Sequence, residues 1–181
     1  MWGYKRRLMG KYEHFMESYD ELHHDEQKNK YAVALSEVSP TEDDVIADFG
    51  CGTGLFLRYV SKRVKKAVGI DLSRRQLLWA KEKMGGDCYL IQADLEKPPF
   101  RKGVFDHVFS FTVFHHLKKL EETIGLLTSF ARENVVISIL KSSKAADEAK
   151  LVVNTFKNLK LIDLESLKDL IIFISLSEAD S

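Results

Sequence analysis

Val45-Ile46-Ala47-Asp48-Phe49-Gly50-Cys51-Gly52-Thr53-Gly54 is the stretch on which the fold turns. Its first five residues form a short apolar run broken by one acid, and three glycines follow at alternate positions. Such a run, bounded by glycine, reads as a buried strand, and the helical periodicity of residues 55–64 places a helix directly after it. Glycines at a strand-to-helix junction permit a tight turn and close approach of backbone to a ligand, and the helix start offers free N–H groups. The spacing also discriminates between ligands. A Gly-x-Gly-x-x-Gly loop makes room for a pyrophosphate. Here the pattern is Gly-x-Gly-x-Gly behind Asp48, an acid that would repel pyrophosphate and suit a cation. Leu55-Phe56 follow Gly54 where a phosphate-binding loop would carry Lys and Ser/Thr. The ligand implied is a nucleoside without phosphates.

Working outward, residues 66–71 read as a second strand ending in Asp71, 17 residues beyond Gly54. That is close to the distance expected of an acid that holds ribose hydroxyls. Ser73 caps a helix to about Met84, stopped by Gly85-Gly86. Strands are expected over 88–92, 105–110 and 134–140, and helices over 117–132 and 145–156. Two apolar runs, 159–164 and 170–176, suit an antiparallel hairpin. Before the decisive stretch, residues 1–38 carry Tyr12, Phe15, Tyr19 and Tyr31 at near-helical spacing, predicting one or two amphipathic helices. Strands alternating with helices predict an α/β fold with a mostly parallel, doubly wound sheet covered on both faces. The expected organisation is an N-terminal helical cap and substrate-recognition segment, 1–40, and a cofactor-binding domain, 41–181.

Composition narrows the class. The chain has 181 residues, 45% apolar and 30% charged, which suits one folded domain and excludes global disorder. Lys+Arg 27 balance Asp+Glu 27, so no overall field attracts nucleic acid. No stretch has the length and apolarity of a membrane span, and Met1 to Arg7 lacks the apolar region of a secretory signal. Two cysteines, Cys51 and Cys88, make neither a disulfide framework nor a zinc site. A cytoplasmic protein without metal is expected.

Four motifs in order give these elements a family likeness: the glycine stretch, Val68-Gly69-Ile70-Asp71-Leu72-Ser73, Gln92-Ala93-Asp94-Leu95 and Phe105-Asp106-His107-Val108-Phe109-Ser110. Over roughly residues 45–140 the chain resembles the class I, Rossmann-like S-adenosylmethionine-dependent methyltransferases, and it is also similar in outline to a small archaeal-type RNA methyltransferase. The resemblance implies a seven-stranded sheet with an antiparallel edge strand, N-terminal helices and S-adenosyl-L-methionine as cofactor. It further implies that Gly50, Cys51, Gly52 and Gly54 line the methionine and ribose portions, with Asp48 near the methionine ammonium. Asp71 would accept from the ribose hydroxyls beside Leu72, and Asp94 from the adenine amino group, with Leu95 facing the ring. Ser110 and Phe111 would border the cleft, and Tyr12, Phe15, Tyr19 and Tyr31 would form a lid or simply pack an amphipathic helix.

The residue that assists methyl transfer is harder to read, because in-line attack on a sulfonium methyl needs mainly position and field. Ser110, His115 and His116 are the candidates. The two histidines are adjacent in sequence and share no helix face, so they form no joint metal site. Cys51, at a helix start, would favour a thiolate but reads as a small packing residue. An Asp/Asn-Pro-Pro-Tyr/Phe motif, the mark of amino-group methylation on a base, is absent after the fourth strand, where Ser110-Phe111-Thr112-Val113 stands. The preferred acceptor is a base of ribosomal or transfer RNA. Support comes from the basic clusters Lys5-Arg6-Arg7 with Lys11, Arg58 to Lys66, Arg74-Arg75, and Lys97 with Arg101-Lys102. The alternatives are a small metabolite, or a cofactor-binding subunit of a methyltransferase complex.

Overall fold

The computed structural model describes residues 3, 10, 24–113, 120–152, 155–156 and 158–176. The elements, in chain order, are α1 (His24–Val38), β1 (Val45–Phe49), α2 (Leu55–Val60), β2 (Lys66–Asp71), α3 (Arg74–Met84), β3 (Tyr89–Gln92), β4 (Phe105–Phe111), α4 (Leu120–Phe130), β5 (Ala131–Leu140), α5 (Lys144–Val152), β6 (Leu159–Ile162) and β7 (Asp169–Ser175). The expected helices of residues 1–23, with Tyr12, Phe15 and Tyr19, lie outside the described residues.

The seven strands form one sheet in the order β3-β2-β1-β4-β5-β7-β6. β1 to β5 pair in parallel. β7 runs antiparallel to both β5 and β6, so the tail hairpin closes that edge. The chain fills one side of β1 with β2 and β3, then returns to its other side with β4. The C-terminal ends of β1 and β4 therefore flank the point where strand order reverses, the place where open α/β sheets form a ligand crevice.

Each face of the sheet has its own core. α4 and α5 cover one face, where Leu120, Ile124, Leu127, Ala146 and Ala149 pack on Phe49, Val108, Val135 and Ile137. α1, α2 and α3 cover the other, where Tyr31, Ala34, Phe56, Leu57 and Leu77 pack on Ile46, Phe109, Val136 and Ile171. Burial on both faces explains why the strands read as continuous apolar runs. Aromatic rings join the layers: Tyr31 of α1 meets Phe111 at 4.8 Å and Phe56 at 5.1 Å. α1 is thus a core helix of the sheet.

Several boundaries depart from the periodicity. α4 stops at Phe130, its last buried apolar residue, and Ala131 to Glu133, expected as helix or loop, begin β5. Ala131 pairs with Phe105, and the register shifts between Phe105 and His107. Arg132 donates to Gly103 O and pairs with Asp106, which ties the irregularity down. Residues 61–63 form a 3-10 turn, so the helix after the glycines has only six residues. α5 ends at Val152 and β6 at Ile162, short of the expected 156 and 164.

Candidate functional site

The glycine loop folds as it does because each of its glycines takes a backbone angle that side chains avoid: φ is 85° at Gly50, 53° at Gly52 and 77° at Gly54. Close packing adds a second requirement. A Cβ at Gly50 would collide with the Val113 side chain, and one at Gly54 would lie 2.9 Å from Met84 Sδ and 3.1 Å from Ala80 Cβ. The loop is stitched to β2, with Gly50 N–H and Cys51 N–H both donating to Ile70 O at 2.7 and 3.0 Å. Asp71, at the end of β2, then takes the next donor. Its Oδ2 accepts from Gly52 N–H at 2.9 Å and its Oδ1 from Ser73 N–H at 2.8 Å.

Asp48 is 3% exposed, and its Oδ1 is buried without a hydrogen-bond partner among the described residues. Burial, followed by the nearby Asp71 charge, pushes its carboxyl well above the usual carboxylate range. A buried acceptor lacking a donor is costly, so this site is built for a donor, and a cation satisfies it best. Next along the C-terminal edge is Asp94. Ala93 N–H bonds Asp71 O at 3.0 Å, setting the third loop beside the second. Asp94 is half-buried, and its Oδ1 accepts from Glu96 N–H at 3.1 Å. Leu72 and Leu95 are half-buried beside these acids, and Leu72 O accepts from Gln92 at 3.1 Å.

The remaining candidates separate. Cys51 is buried, and burial together with Asp71 and Asp48 raises its thiol, so the thiolate that a helix start would favour is suppressed here. Ser110 is fully buried, and its hydroxyl donates to Phe49 O at 2.6 Å. That bond joins β4 to β1 and engages the hydroxyl. Phe111 is 9% exposed between Tyr31 and Phe56. Tyr19, His115 and His116 lie outside the described residues. No group of three or more potential metal ligands occurs among the described residues.

Periodicity missed three neighbours of the loop. Val113 covers Gly50, Gln76 Oε1 lies 2.9 Å from where a Gly52 Cβ would be, and Thr112 carries φ 58°. Gln76 follows the Ser73 cap in the first turn of α3, which is the one signal that could have found it. Nothing in the sequence marks the other two.

A nucleoside carrying a cationic amino-acid tail fits this set. Asp71 at the end of β2, the glycine loop bonded to it, and the buried Asp48 carboxyl stand together at the C-terminal edge of the sheet. A family model described as "Methyltransferase domain" matches residues 47–139, just over half of the chain. An uncharacterized methyltransferase of Anoxybacillus flavithermus is 30% identical over 136 residues, covering 71% of this chain and 64% of that protein. Malonyl-[acyl-carrier protein] O-methyltransferase of Legionella pneumophila is 42% identical over 74 residues, 39% of this chain and 26% of that protein. The chain thus spans less than two thirds of the length of either curated relative. The crystal structure of a S-adenosylmethionine-dependent methyltransferase from Aquifex aeolicus has the same fold, with a TM-score of 0.64 at 18% identity over 81% of this chain and 89% of that one. Loop, acids and family match agree, and the chain belongs to the class I S-adenosylmethionine-dependent methyltransferases.

Proposed function

We propose that this methyltransferase acts on a carboxylate of a small or carrier-borne acid, in preference to an RNA base. The observation that carries the reading is the state of the hydroxyls at the end of β4. Ser110 is fully buried and donates to Phe49 O, and Thr112 Oγ1 donates to Asp169 and accepts from Lys30, so both hydroxyl protons are engaged within the protein and neither is offered to a bound acceptor. A carboxylate acceptor is already deprotonated at neutral pH and needs no base. S-adenosylmethionine, when bound, supplies a methyl on a positively charged sulfur, and transfer to a carboxylate oxygen leaves an ester and a neutral thioether. The chain's own part is to hold: Asp71 holds the ribose, Asp48 the ammonium and Asp94 the adenine amino group, while Val113 and Gln76 pack against Gly50 and Gly52 of the loop.

The distribution of basic residues points the same way. Lys62, Arg63, Lys65 and Lys66 lead into β2, and Arg101 and Lys102 into β4, so these residues stand at the edge where the parallel strands begin, opposite the glycine loop, while Lys97, whose N–H donates to Asp94 O, stands with the third loop, and Lys5, Arg6, Arg7 and Lys11 lie outside the described residues. The malonyl-[acyl-carrier protein] O-methyltransferases supply the chemical precedent for a carrier-borne acid. An RNA base is the second reading, favoured by Arg74 and Arg75, which are exposed at the glycine-loop edge.

The test is incubation with isotope-labelled methyl donor and, in turn, malonyl-acyl-carrier protein, a pool of small carboxylic acids, and total RNA. Base-labile label is expected in one of the first two. Label confined to RNA overturns the carboxylate reading.

A further inference from the structure

Thr112 is a β-branched residue held at φ 58°, in the left-handed region that such residues avoid. It is also the first residue after β4, which ends at Phe111, and it leads the chain to Val113, which lies against Gly50. Strain of this kind persists only where the surroundings over-determine it. Here they do, through residues drawn from three separate elements.

Thr112 N–H donates to Ser138 O at 3.1 Å and to Ser138 Oγ at 2.9 Å. Its hydroxyl donates to Asp169 Oδ2 at 3.0 Å and accepts from Lys30 Nζ at 2.7 Å. Lys30 pairs with the same Asp169 oxygen at 2.8 Å, and Ser138 Oγ donates to it at 2.8 Å. Lys30 comes from α1, Ser138 from β5 and Asp169 from β7. Asp169 opposes Leu140, the last residue of β5, so the cluster stands at the same edge of the sheet as the glycine loop.

The ion pair is buried completely, with both side chains 1% exposed. Buried ion pairs seldom stabilise a fold more than apolar replacements would, so stability alone is a weak reason for this one. A second oddity agrees. All three donors converge on Asp169 Oδ2, while Oδ1 is buried with no hydrogen-bond partner among the described residues. The pair is arranged to hold Thr112 rather than to satisfy the carboxylate.

We propose that Lys30, Ser138 and Asp169 are positioning residues for cofactor binding: they clamp Thr112 in the left-handed region and so hold Val113 against Gly50. The inference rests on the glycine-loop site and assigns α1 a part in shaping it. Were Thr112 to relax to the ordinary region, the chain would leave β4 in a different direction and Val113 would lose its place over the loop.

The decisive comparison is Thr112→Ala against Thr112→Gly, with affinity for S-adenosylhomocysteine read by calorimetry and thermal midpoints measured alongside. Both variants lose the hydroxyl and keep the Lys30–Asp169 pair, but only glycine adopts positive φ freely. Thr112→Ala is expected to bind about ten-fold more weakly than Thr112→Gly. A second arm replaces the pair by Lys30→Met with Asp169→Leu. Affinity is expected to fall, and adding Thr112→Gly to recover most of the loss, a rescue that a merely structural pair would not give. Equal affinity of the two Thr112 variants overturns the clamp, as does wild-type affinity in the Met/Leu variant. If the Met/Leu variant does not fold, the Thr112 comparison decides alone. Failure of the wild-type chain to bind S-adenosylhomocysteine would instead count against the glycine-loop site itself.

Discussion

At Gly50 two independent constraints coincide, a positive φ and the Val113 side chain pressed where a Cβ would be. Gly50→Ala is therefore expected to destabilise the chain by about 1–3 kcal/mol and to weaken S-adenosylhomocysteine binding at least in proportion, as thermal melts and calorimetry would show. Wild-type affinity in this variant would mean that the loop tolerates displacement of Val113. The places of Asp48 and Asp71 beside the glycine loop were readable from spacing because both follow from chain position: one precedes the glycines, the other ends the next strand. Val113 and Thr112 were not, since their importance comes from what lies across the sheet. Ser110 illustrates the same limit. Sequence places it at the cleft-forming end of β4, but strand alternation there turns its hydroxyl onto Phe49 O.

Elements follow local signals where those signals are chemical. Ser73 Oγ accepts from Gln76 N–H at 3.3 Å, and Gly85 ends the same helix at φ 60°, both as the sequence predicts. Ser73→Ala is expected to cost about 1 kcal/mol, a fall of roughly 2–4 °C in thermal midpoint for a chain of this size. An unchanged midpoint would show that other contacts at the start of α3 replace the cap. Boundaries set by pairing are less visible. The periodicity of α4 runs on past Phe130, yet Ala131 finds a partner in Phe105 and the backbone extends. Helix-forming residues there yield to the ladder, because tertiary pairing outweighs a weak local preference.

Across the whole molecule, α1 is joined to the far edge of the sheet by the buried Lys30–Asp169 pair and by the surface pairs Lys168–Glu26 and Lys160–Glu37. Exposed pairs of that kind contribute little, about 0.2–1 kcal/mol each, so the buried contacts carry the attachment. At the N-terminal ends of the central strands Asp44 sits 3.2 Å from the Nε2 of buried His107, whose Nδ1 lies 3.2 Å from Asn134 Nδ2. Burial pushes Asp44 upward, but hydrogen bonds from Thr41 and the His107 imidazole outweigh it and leave the carboxyl below its usual 3.8. A depressed carboxyl adds stability above the unfolded value and loses it as pH falls through the folded one. Asp44→Asn is thus expected to narrow the difference in urea-unfolding stability between about pH 6 and pH 3, and an undiminished difference would contradict this. The sequence by itself determined the alternation of strands and helices, the glycine loop and the acids that end its strands, because these depend on neighbours along the chain. Only the tertiary structure decided that α1 is a core helix, that Ser110 is engaged, and that Lys30, Thr112, Ser138 and Asp169 meet. Those four are separated by up to 139 positions, and no local pattern records a contact made by the order in which strands enter a sheet.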